Sequence, residues 1–211
     1  MKDYFVLMAD IVDSRKSNQN KLMSNFKTVV SETNYENNEL MLSPMTITLG
    51  DEFQGIVNDA KAAVKLMFSI EEKIIHLNAG FKLRFVLVEG KIDTPINKTI
   101  AYEMLGDGLT QAREALTVQK NSNIRYYFDL RNKTKSEALV NSMFLYQSII
   151  DDWKISKDYD LITKFIKLRD YKVVAEQLGK TRSQIWKREK SLKIEEYFSA
   201  KSLINYISEL P

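Results

Sequence analysis

Met45-Thr46-Ile47-Thr48-Leu49-Gly50-Asp51-Glu52-Phe53-Gln54-Gly55-Ile56-Val57 is the stretch on which the fold turns. Apolar residues flank Gly50-Asp51-Glu52 on both sides, and a glycine followed by acids is turn chemistry. The pattern predicts a hairpin with strands at 45–49 and 53–57. Upstream, Tyr4-Phe5-Val6-Leu7-Met8-Ala9 is a short, partly β-branched apolar run that reads as a buried strand. It leads into Asp10-Ile11-Val12-Asp13-Ser14. Asp10 and Asp51 thus stand at two strand ends, forty-one residues apart. A carboxylate placed there costs free energy unless something compensates it, and a divalent cation does so well.

Working outward, Leu22, Met23, Phe26, Val29 and Val30 recur at helical spacing and predict a helix over about 18–36. Ala63, Met67, Ile70, Ile74 and Leu77 predict a second over 60–77, stopped by Asn78-Ala79-Gly80. Phe81 to Glu89 alternates and reads as a strand. Gly106-Asp107-Gly108 opens a third helix to about Val118, and 124–128 is a last strand. The order β-α-β-β-α-β-α-β is a split-βαβ, ferredoxin-like α+β sandwich with an added helix and strand, its helices expected on one sheet face. Beyond Thr134 no strand pattern remains. Helices are expected over 136–153, 159–168, 171–178, 182–192 and 195–207. The expected division is a sheet domain at 1–133, a connector helix at 134–153 and a small all-α domain at 154–211.

Composition narrows the function. The 211 residues lack cysteine, which removes disulfides, thiolate zinc sites and thiol nucleophiles, and a single histidine removes a His-rich metal site. No apolar run approaches the roughly 18 residues of a membrane helix, and the start shows no signal-peptide pattern. A cytoplasmic protein without a membrane partner is expected. The net charge of +3 is unevenly spread: Lys154 to Lys193 holds twelve basic and five acidic residues, a net of +7, leaving −4 for the remainder. A basic tail on an acidic body suits nucleic acid, though a solvated helix face would look the same.

The tail has a motif of its own. In Val174-Ala175-Glu176-Gln177-Leu178-Gly179-Lys180-Thr181-Arg182-Ser183-Gln184-Ile185, small Ala175 precedes Gly179 by four, and apolar Ile185 follows by six. Close helix crossing needs the small residue, the tight turn needs positive φ, and the second helix needs an anchor facing back. This is helix-turn-helix spacing, with Thr181 as N-cap. DNA contact would then fall to Arg182, Ser183, Gln184, Lys187 and Arg188. A three-helix bundle used for protein contacts is the alternative.

Residues 4 to about 128, with Ala9-Asp10-Ile11 and Gly50-Asp51-Glu52-Phe53, resemble the palm-type domain of class III nucleotide cyclases and GGDEF diguanylate cyclases. The whole chain, with Ala-Asp-Ile-Val-Asp-Ser-Arg near one end and helix-turn-helix spacing near the other, resembles the SatD family. The cyclase resemblance implies Asp10, the Ile11 carbonyl and Asp51 as ligands of Mg²⁺ or Mn²⁺, and Ser14 and Arg15 beside the phosphates of a bound nucleotide. It also implies pairing of protomers, so a homodimer is expected. Three positions depart from the cyclase pattern. Ile47 stands where cyclases carry a base-reading lysine, Thr110 replaces an asparagine, and Glu114 replaces an arginine, with Arg113 one step away. Three readings follow: a nucleotide- and metal-binding sensor joined to a DNA reader, an enzyme acting on a nucleoside triphosphate as nucleotidyl transferase or cyclase, or motifs kept only for the fold. His76 reads as a helix C-terminal dipole partner, and Trp153 and Trp186 as packing anchors. Tyr126-Tyr127-Phe128 reads as buried strand, and Gly106-x-Gly108 is too short for a dinucleotide fingerprint.

Overall fold

The computed structural model describes residues 3–14, 19–48 and 50–211. Arg15 and Leu49, singled out above, lie outside them. Five strands, β1 (Asp3–Ile11), β2 (Met41–Ile47), β3 (Glu52–Val57), β4 (Leu83–Lys91) and β5 (Tyr126–Asp129), form one sheet in the order β2-β3-β1-β4-β5. All neighbours are antiparallel except β4 and β5, which run parallel. The helices of the sheet region are α1 (Gln19–Glu36), α2 (Ala60–His76) and α3 (Asp107–Gln119). The architecture is the expected α+β one.

One detail differs from expectation. Helices cover both faces of the sheet. Leu7, Ala9, Phe53, Phe85 and Leu87 point to the side of α1 and α2 and join Phe26 and Met67 in one buried cluster. Val6, Met8, Ile56, Val86 and Val88 point the other way and pack with Leu109, Ala112 and Leu116 of α3. A parallel pair needs a crossover connection, and α3 supplies it between β4 and β5. The uninterrupted apolar run of β1 is the sequence sign of a strand buried on both faces. The approach of α3 to the sheet also explains its glycines. A Cβ on Gly90 would lie 2.6 Å from the Gly108 Cα. Gly106-x-Gly108 is therefore a packing feature.

The tail comprises α4 (Lys133–Ile150), α5 (Ile155–Leu168), α6 (Tyr171–Gln177), α7 (Arg182–Ser191) and α8 (Ile194–Glu209). Its apolar residues continue the cluster of α1 and α2: Tyr146, Trp153, Ile162, Tyr197 and Ile204 are all buried in it. Rings of Phe68, Tyr146, Tyr197 and Trp153 follow one another at centroid separations of 5.1, 5.5 and 5.1 Å. Trp153 also donates its indole N–H to the Leu192 carbonyl at 2.9 Å. It is the anchor expected, whereas Trp186 is 45% exposed and packs little. A buried ion pair ties the sheet to the helices. Arg125 donates to Glu71 at 2.7 Å and to Asp151 at 3.2 Å, and Tyr126 donates to Glu71 at 2.8 Å.

Candidate functional site

Asp10 is the last acidic residue of β1 and is only 3% exposed. The register places Glu52 of β3 beside it on one flank and Arg84 of β4 on the other. Cross-strand partners share a face, so these three side chains converge on the side covered by α3. Arg84 Nη1 donates to both carboxylate oxygens of Asp10 at 2.9 Å. From α3, Arg113 donates to Glu52. Lys120 Nζ lies 3.2 Å from Glu52 and 3.5 Å from Asp10. Two buried acids are thus matched by three bases. Burial pushes the Asp10 carboxyl up, and Arg84 and then Lys120 offset that only in part, so it stays above the ordinary carboxylate range.

Asp51 takes a different path. It sits in the turn after Gly50, whose φ of +82° is the left-handed conformation that glycine adopts without strain. Its Oδ2 accepts from the Ser14 hydroxyl at 2.6 Å. Its carbonyl accepts the Ile11 N–H at 3.0 Å, which ties the end of β1 to the hairpin. A pocket of about 290 Å³ opens there, lined by Ser14, Gln19, Leu22, Met23, Gly50 and Asp51. Ser14 and Asp51 were expected at such a site. Gln19, Leu22 and Met23 were not, although α1 follows the Asp10–Ser14 motif directly and its first described turn had to lie nearby.

On α3, the positions that depart from the cyclase pattern, Thr110 and Glu114, are exposed to solvent. Arg113, one step away, reaches the sheet, with Lys120 two turns later on the same side. Lys120 was not among the sequence candidates, and Arg113 was noted only as one step from the cyclase position; both complete the cluster around Asp10 and Glu52. Spacing of seven along the Leu109–Leu116 face could have found them.

In the tail, Ala175 and Ile185 are buried, Gly179 has φ +59°, and the α6–α7 turn closes with a capping box between Thr181 and Gln184. Arg182, Ser183 and Lys187 are exposed with Trp186 between them. Gln184 spends its side-chain oxygen on the Thr181 N–H at 3.1 Å. Arg188 turns inward and donates to buried Asp158 at 2.6 Å. Of the five residues expected to meet DNA, three are exposed with no side-chain partner among the described residues.

A SatD family model matches residues 4–207. The chain belongs to the SatD family. No curated protein matches it. Among solved structures, this SatD-family chain is similar to a bacterial light-regulated adenylyl cyclase, with 11% identity, TM-score 0.44, and 60% of this chain and 75% of that one covered. It is similar to the catalytic core of a rhodopsin-guanylyl cyclase with converted specificity, solved with ATPalphaS, at 18% identity, TM-score 0.43, and 55% and 72% coverage. It is also similar to the adenylyl cyclase CyaB from P. aeruginosa, at 13% identity, TM-score 0.42, and 56% and 72% coverage.

A pair of Mg²⁺ or Mn²⁺ ions bridged by Asp10 and Asp51 does not fit the side chains as they stand. Both oxygens of Asp10 are held by Arg84, and the described residues contain no cluster of three or more acids, histidines or cysteines able to hold a metal. Asp51 does fit a single ion. It lines an open pocket, and its side-chain partner among the described residues is the neutral Ser14 hydroxyl. Magnesium commonly binds through one or two carboxylates plus substrate phosphates. No helix among the described residues is long and apolar enough to cross a membrane.

Proposed function

We propose that this SatD-family chain is a cyclase-like nucleotide-binding protein that takes a nucleoside triphosphate with one Mg²⁺ or Mn²⁺ at the Ser14–Asp51 pocket. The observation that carries this reading is the pocket itself, which opens where the two acidic motifs meet. Asp51 would hold the ion, and the ion would offset the charge of the phosphates. Ser14 would exchange its bond to Asp51 for one to phosphate. Leu22 and Met23 offer an apolar wall for the remainder of the ligand. Arg15 belongs to this proposal by its place in the motif.

The reading extends to turnover as a cyclase or nucleotidyl transferase only if Asp10 parts from Arg84 and Lys120, whose positive charges stand where a metal ion would bind. Incubation with each nucleoside triphosphate and Mg²⁺ or Mn²⁺, followed by mass spectrometry, tests this. A cyclic or transferred nucleotide product that disappears in Asp51→Ala and Asp10→Ala supports turnover. Absence of product leaves a binding protein. By the same resemblance we propose a homodimer, and light scattering at micromolar concentration should give twice the 24.5 kDa chain mass. A single-chain mass would reject it.

A second reading, DNA binding by α7, has its own observation. Arg182, Ser183 and Lys187 are exposed on a helix that is capped and held by buried Ile185, and they surround exposed Trp186. A positioned helix with free basic side chains can follow the phosphate backbone. In this reading the nucleotide site is a sensor and α7 its output.

A further inference from the structure

A groove that shares no lining residue with the Ser14–Asp51 pocket or with α7 lies between α2 of the sheet region and α5 and α8 of the tail. Its volume is about 610 Å³, within the roughly 300–1,000 Å³ of small-molecule sites. Phe68 and Ile166 form an apolar floor. Lys201 lies across that floor, its ammonium 4.8 Å from the Phe68 ring centre and 5.4 Å from that of Tyr197. Asn205 Oδ1 is buried at the groove and has no hydrogen-bond partner among the described residues. An unpaired buried acceptor is costly, and a turn of the Asn205 amide toward a donor in the groove would satisfy it.

Charge points to the sign of the occupant. The acids at the groove are already engaged: Glu36 by Lys73 at 2.8 Å, Glu72 by Lys201 and by the Tyr197 hydroxyl at 2.6 Å, and Glu209 by Lys61 at 2.9 Å. Lys65 and Lys167, by contrast, line the groove with no carboxylate within salt-bridge distance among the described residues. Lys65 adds only a weaker pull on Glu209, after that of Lys61.

We infer that this groove binds a small aromatic anion: a flat apolar body against Ile166 and the Lys201 side chain that lies over Phe68, an N–H or O–H toward Asn205, and a phosphate, sulfonate or carboxylate held by Lys65 and Lys167. Such a ligand would bridge the sheet region and the tail, because its walls come from both.

8-Anilinonaphthalene-1-sulfonate has this chemistry and serves as probe, titrated into the full chain by fluorescence. One saturable site is expected. Lys65→Glu with Lys167→Glu should weaken it roughly tenfold, because two attractive charges become repulsive. Ile166→Glu should weaken it through the floor. Lys27→Glu with Lys98→Glu, the same charge change at exposed positions away from the groove, should leave affinity unchanged. Thermal melts confirm that each variant is folded. Affinity unchanged by the groove variants, equal loss in the remote pair, or uptake that never saturates would each overturn the inference.

Discussion

The charges at the end of β1 and those on α7 are arranged in opposite ways. Around Asp10 two buried acids are satisfied within the chain by buried Arg84, half-buried Arg113 and exposed Lys120. On α7, Arg182 and Lys187 face solvent with no partner among the described residues, while Arg188, six residues beyond Arg182, is spent on Asp158. Charge that is internally matched builds structure and must be released before it can act on a ligand. Charge left unmatched on a rigid helix is available at once. The motif residue that looks most catalytic in the sequence, Asp10, is therefore the most committed one, whereas Asp51, in a turn, has the neutral Ser14 hydroxyl as its side-chain partner among the described residues.

The comparison breaks most sharply at Arg84. Arg84→Ala leaves Asp10 buried without its main partner and should cost about 3–5 kcal/mol in urea unfolding. The loss should shrink markedly when Asp10→Ala is added, because the stranded charge is then gone. A loss under about 1 kcal/mol would mean that the pair is not buried as described.

The two buried acid–base sites also differ in the sign of their pH dependence. At Asp151, burial pushes the carboxyl up but Arg125 and then Lys82 more than offset it, so it lies below its ordinary value of 3.8. At Asp10 burial wins and the value lies above 3.8. A lowered carboxyl contributes stability that is present above its unfolded value and lost as pH falls through the folded one. A raised carboxyl contributes stability that is present below its unfolded value and lost as pH rises through the folded one. Unfolding from about pH 3 upward should therefore show Asp151→Asn removing part of the acid-side loss. Asp10→Asn should remove part of the decline that follows as pH rises above 3.8. The same sign for both would contradict the geometry.

On α7 the expected effects are smaller. Arg182→Ala and Lys187→Ala should each weaken duplex binding and flatten its salt dependence by about one phosphate contact. Arg188→Ala should leave the salt slope unchanged and lower stability instead. Quenching of Trp186 reports binding, since the only other tryptophan is buried. An unchanged slope in both outward variants removes DNA from the function.

Much of this was legible in the sequence because it depends on local pattern. The apolar run at Tyr4–Ala9, the Gly50 turn, and the Ala175, Gly179 and Ile185 spacing each fix their elements without knowledge of distant residues. The partner of Asp10 was not legible. Arg84 lies 74 residues away, and only the β1–β4 register brings the two together. Parity within the hairpin decided the rest. Glu52 begins β3 and points to the face of α3, while Asp51, one residue earlier, stays in the turn, and one residue in a strand is the difference between two faces. On α3 a single step of about 100° likewise turned Arg113 to the sheet and left Glu114 in solvent. The groove among α2, α5 and α8 exists only through tertiary packing and left no local signature.

Thermal unfolding with each nucleoside triphosphate, with and without Mg²⁺ or Mn²⁺, tests the nucleotide site most directly. Binding to the folded state raises stability by about 2.7 kcal/mol at a hundredfold excess over Kd. At least one triphosphate should raise the Tm of the native chain when the ion is present, the rise should vanish in Asp51→Ala, and it should persist in Arg182→Ala. No rise with any triphosphate, or an equal rise in Asp51→Ala, would contradict binding at the Ser14–Asp51 pocket.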